Sequence, residues 1–71
     1  MVTPDIKERL IKTKGDGKYH IELNLVAWGS NDPKYDIRRW SDEGKYYKGL
    51  CLSKEELLEF IEELKGVDLD G

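Results

Sequence analysis

Two tryptophans, and the cations between them, are the residues of this chain best suited to chemistry. In an extended segment successive side chains point to opposite faces. By that parity Trp28 shares a face with His20, Glu22, Asn24 and Val26, and Trp40 shares one with Lys34, Asp36 and Arg38. Tyr19, Ile21, Leu23, Leu25 and Ala27, like Tyr35 and Ile37, fall on the other face. A core tryptophan belongs with those apolar residues, so Trp28 and Trp40 are expected to point outward. An outward indole beside Lys and Arg can stack a nucleic-acid base while the cations hold phosphates, and stacking contributes roughly 1–3 kcal/mol per base. The same placement also suits packing in a dimer interface or under a loop, because Trp is enriched at protein interfaces. Arg38 can clamp a phosphate bidentately or stack on a base. Asp36, two residues away, can hold it through an ion pair.

The other reactive side chains form no constellation. His20 and Cys51 each stand alone, with no third group to orient a Cys–His pair. One His and one Cys make neither a zinc cage nor an internal disulfide. Gly15-Asp16-Gly17 is too short for a phosphate-binding fingerprint, and Asp68-Leu69-Asp70-Gly71 ends before a calcium loop could close. No catalytic residue, metal or cofactor is expected, and the chain reads as a non-enzyme.

The elements that must position these residues are legible as periods. Leu57, Leu58, Phe60, Ile61 and Leu64 recur at helical spacing behind the capping box Ser53-Lys54-Glu55-Glu56. This predicts a helix over about 53–65, ending near Gly66, with a tail over 66–71. Alternation predicts strands over about 18–28, 34–41 and 45–52, separated by turns at Gly29–Pro33 and Asp42–Gly44. Gly49 inside the last strand suggests a bulge or a close backbone approach. Residues 5–13 are ambiguous: Thr3-Pro4 resembles a helix start, while Ile6 to Leu10 alternates, and the Lys14–Gly17 turn favours a strand. The expected fold is one α+β domain over 1–71, a four-stranded antiparallel β-sheet followed by a C-terminal α-helix, β-β-β-β-α.

Seventy-one residues with 38% apolar and 38% charged side chains exclude a multidomain enzyme and a collagen-like chain. Domains below about 70–80 residues usually need staples or a partner, so a homodimer is expected. The formal charge of -3 hides an asymmetry: residues 1–53 carry 10 basic and 8 acidic side chains, and residues 54–71 carry two basic and seven acidic. Five of the basic residues, Lys34, Arg38, Arg39, Lys45 and Lys48, lie within one short stretch, which suits an anion on one face. No leader pattern and no stretch of about 20 apolar residues is present. With a single cysteine, this points to a cytoplasmic protein, nucleoid-associated when bound to DNA.

Three stretches carry a resemblance. Glu22-Leu23-Asn24-Leu25-Val26-Ala27-Trp28, then Pro33-Lys34-Tyr35-Asp36-Ile37-Arg38-Arg39-Trp40-Ser41, then Lys48-Gly49-Leu50-Cys51-Leu52-Ser53 resemble the transcriptional coactivator p15 (Positive Cofactor Four domain) family. The match is nearest its small bacterial YdbC-like branch and covers about residues 18–65. The resemblance implies a homodimer whose curved sheets hold single-stranded DNA with little sequence preference. RNA and melted duplex are compatible with the same chemistry. It places the family's strand arginine on Arg38, its stacking aromatics on Trp28 and Trp40, and basic groove residues on Lys34, Lys45 and Lys48. Subunits would pair through the helix stripe Leu57, Phe60, Ile61 and Leu64. Val26 departs from the basic residue of eukaryotic members. The alternative is a protein-interaction module that meets a transcription-machinery protein through its aromatic face or acidic helix.

Overall fold

The computed structural model describes residues 3–70. It has the order β1 (Pro4–Lys12), β2 (Tyr19–Trp28), β3 (Lys34–Ser41), β4 (Tyr46–Leu52) and α1 (Lys54–Leu64). The four strands form one antiparallel meander, β1-β2-β3-β4, followed by α1. The ambiguous N-terminal segment is therefore a strand. Among the described residues no helix is long and apolar enough to cross a membrane.

Local chemistry sets each junction. Asp16 Oδ1 accepts from the backbone N–H groups of Lys18 and Tyr19, which closes the β1–β2 turn. Gly15 there has φ +75, and a Cβ on it would collide with the Tyr19 carbonyl oxygen. The capping box forms as expected: Ser53 Oγ accepts from the Glu56 N–H at 3.1 Å and Glu56 Oε1 accepts from the Ser53 N–H at 2.9 Å.

Three bulges bend the sheet. Lys7 and Leu10 are each an extra residue in β1 against β2, and Tyr47 and Lys48 of β4 together oppose Arg39 of β3. Bulges bend the strand that carries them and sharpen its twist. At Gly49 the approach to β3 is so close that a Cβ would overlap Arg38 Cβ and the Ile37 carbonyl oxygen.

The alternation is as read, but the buried face is the opposite one. His20, Glu22, Asn24 and Val26 of β2 are buried, while Ile21, Leu23 and Leu25 are only half-buried and Tyr19 is exposed. Asn24 and Asp36 are fully buried. The helix lies against β3 and β4 only, so neighbouring side chains of the sheet itself must cover the polar residues of β2. That requires a sheet bent toward its polar face. The helix stripe divides in two. Leu57 is buried within the chain, whereas Phe60, Ile61 and Leu64 stay 42–52% exposed. Only Val26, Ala27, Trp40 and Leu57 are buried apolar residues among those described.

Candidate nucleic-acid interface

Strand pairing sets the site as rows across the sheet. Asn24, Asp36 and Cys51 form one row, Glu22, Arg38 and Gly49 the next, and His20, Trp40 and Tyr46 the third. Partners in a row share a face, so Asp36, Arg38, Trp40 and Tyr46 converge with Trp28 on the polar side.

Asp36 is the hub. Its carboxylate accepts from Arg38 Nε at 2.6 Å and Nη2 at 2.5 Å, from Trp28 Nε1 at 3.2 Å and from Cys51 Sγ at 3.2 Å. Arg38 Nη1 donates to the Tyr47 carbonyl at 3.1 Å. The guanidinium carbon sits 4.6 Å from the Trp28 ring centre and 5.7 Å from that of Tyr46. Bonding to Asp36 raises the Arg38 pKa further, so this cation is permanent. The Cys51 thiol is pushed up, first by burial and then by the Asp36 carboxylate. It is held as a thiol and not as a nucleophilic thiolate.

The aromatics form a tier above this brace. Tyr46 meets Trp28 edge-on at 5.4 Å and Trp40 at 5.6 Å. The outward expectation for Trp40 needs correction. It is on the expected face, but the bent sheet leaves it 7% exposed. Trp28 is half-buried, and Tyr46 at 40% is the open ring of the three. Arg38 likewise is braced rather than free, with a side chain only 12% exposed.

The lysines separate into two groups. Lys34 is exposed and lines a cleft with Trp28. Lys45 is exposed in the β3–β4 turn beside Tyr46, where its N–H donates to Ser41 Oγ at 3.0 Å. Lys48 stands apart: it sits in the bulge next to Gly49 and takes the opposite parity, that of Leu50. The sheet thus brings together Trp28, Lys34, Arg38 and Trp40 and directs Lys48 away, while Lys45 stays in the turn, paired with Ser41 rather than with the row of Trp40 and Tyr46.

Three functional candidates escape sequence reasoning. Tyr46 was hidden because the bulge breaks the alternation of β4, although the Tyr46-Tyr47 pair after a turn was a visible signal. Arg9 and Lys12 pair with Asn24 and Glu22 and so join the polar face. Without the register of β1 nothing could place them.

A second buried cluster adjoins the first. Both His20 ring nitrogens face carboxylates, Nε2 at 2.5 Å from Glu22 and Nδ1 at 2.9 Å from Asp42. The bond to Glu22, followed by that to Asp42, raises the His20 pKa. Burial alone would raise the Glu22 carboxyl. Bonds from Asn24 and His20 and the charge of Arg9 outweigh it and hold Glu22 below the ordinary value. Arg9 Nη1 donates to Glu22 at 2.7 Å. Among the described residues no group of His, Cys, Asp and Glu is disposed to hold a metal ion.

No protein-family model matches the chain, and no curated protein matches it. The geometry therefore carries the functional reading.

Proposed function

We propose that the chain is a non-enzymatic protein that binds single-stranded nucleic acid as a homodimer, serving transcription, replication or repair. The observation that carries this reading is the braced aromatic tier. Trp28, Tyr46 and Trp40 lie in edge contact over the Arg38–Asp36 pair, with Lys34 on the cleft beside Trp28 and Lys45 in the turn that precedes Tyr46. Bases stack on the open parts of Tyr46 and Trp28 while the lysines meet phosphates. Trp40 backs the tier. A duplex hides its base faces, so single strands are preferred. The exposed Phe60, Ile61 and Leu64, with Leu58 and Leu50, supply the apolar surface through which two copies pair.

The test is intrinsic tryptophan fluorescence during titration with short oligo-dT at low and moderate salt, with duplex DNA as control. Saturable quenching by the single strand, weakened by salt as counterions are displaced, is expected. Absence of any response would sink the reading and leave a protein-interaction role for the aromatic face.

A further inference from the structure

We infer that the cleft beside Trp28 is a base-selective subsite in which Asp32 favours guanine and disfavours thymine. This rests on the single-strand reading and adds a ranking of bases to it. The cleft has a volume of about 460 Å³ and is lined by Trp28, Asn31, Asp32, Lys34 and Cys51. That volume falls within the roughly 300–1,000 Å³ typical of small-molecule sites.

The walls are preorganised. Trp28 is held by its Nε1 bond to Asp36 at 3.2 Å and by the Arg38 guanidinium over its ring. The β2–β3 turn folds back at Gly29, whose φ is +64, and the Asn31 N–H donates to the Trp28 carbonyl at 3.2 Å. Pro33 then fixes the chain before Lys34. Asn31 and Asp32 are thereby held beside the indole. Their side chains are exposed, and neither makes a side-chain hydrogen bond or ion pair among the described residues.

A base that enters this cleft stacks on Trp28 and presents an edge to an unengaged carboxylate. A carboxylate accepts only. Guanine offers it two adjacent donors, the N1–H and the N2 amino group. Cytosine and adenine each offer one amino group beside an acceptor. Thymine and uracil offer a single N–H flanked by two carbonyls, which a carboxylate repels. Lys34, on the same cleft, takes the adjoining phosphate and offsets the Asp32 charge. The expected order is guanine, then cytosine and adenine, then thymine.

The experiment is a titration of the full chain with short oligo-dT strands carrying one central guanine, cytosine or adenine, followed by tryptophan fluorescence. The guanine strand is expected to bind about five- to tenfold more tightly than oligo-dT, the low end for a bidentate contact at an open site. Asp32→Asn, an exposed turn substitution that leaves the circular dichroism unchanged, should erase most of that ratio while oligo-dT binding holds or improves. Equal affinities for all four strands, or a guanine preference that survives in D32N, would overturn the inference and leave the single-strand reading intact. Failure of every strand to bind would overturn both.

Discussion

Asp36 is a fully buried carboxylate whose partners are Arg38, Trp28 and Cys51. Removing one member of a buried ion pair leaves the other charge uncompensated and costs about 3–5 kcal/mol. Asp36→Ala is therefore expected to destabilise the fold by about that amount in urea denaturation. It should also free the Trp28 ring, seen as a changed emission maximum before unfolding. His20 and Glu22 set a pH dependence. The folded pKa of His20 is raised, so its contribution is fully present below its ordinary value of 6.5 and is lost as pH rises through the folded value. Glu22 is depressed, so its contribution is present above 4.5 and is lost as pH falls through its folded value. Together they favour the fold most between 4.5 and 6.5. His20→Gln should flatten the alkaline limb of that curve in thermal melts across pH. An unchanged limb would mean that other groups set it. The Arg38–Asp36 pairing was legible from spacing alone. The burial of Trp40 was not, because parity says which residues share a face and not which face closes.

At the scale of elements, the legible ones were those with an unbroken period. The ten residues of β2 alternate without interruption, and α1 carries a capping box at its start. β1 was ambiguous for a physical reason: its two extra residues, Lys7 and Leu10, shift the alternation twice within nine residues. The bulge in β4 hid Tyr46 in the same way and misdirected Lys48. Gly49 marked that irregularity in the sequence. A methyl group there would overlap the Arg38 Cβ and the Ile37 carbonyl oxygen, so β3 and β4 would have to part. Gly49→Ala should cost about 1–3 kcal/mol, as overpacking generally does. Because it loosens the strand pair that carries Arg38 and Tyr46, it should also weaken oligonucleotide binding at temperatures where the chain stays folded. Wild-type affinity in G49A would show that the two strands can separate without disturbing the aromatic tier.

For the whole molecule, what the sequence left invisible was the inversion of the sheet, with its polar side in and its apolar side half out. Alternation is symmetric between the two outcomes, and the rule that apolar residues go inside chose the wrong one for an isolated chain. Pairing of two copies would resolve the conflict by covering Phe60, Ile61, Leu64 and Leu50. Leu57, already buried in its own chain, would take no direct part. Light scattering of the purified chain is expected to give twice the 8.3 kDa chain mass. Ile61→Asp with Leu64→Asp should halve it and lower the melting temperature, which in the unaltered protein should rise with concentration. A monomeric mass for the wild type would remove the homodimer from the proposed function.

The scarcity of buried apolar side chains has a calorimetric consequence. The heat-capacity change of unfolding comes from apolar surface newly exposed to water, and exposed polar surface subtracts from it. A single chain whose closed face holds His20, Glu22, Asn24 and Asp36 has little of the first and much of the second. Its own stability curve should be broad and shallow, with little tendency toward cold denaturation. Most of the curvature measured for the assembled protein would then arise where the copies meet, so that cooling would loosen the assembly before it loosened the fold.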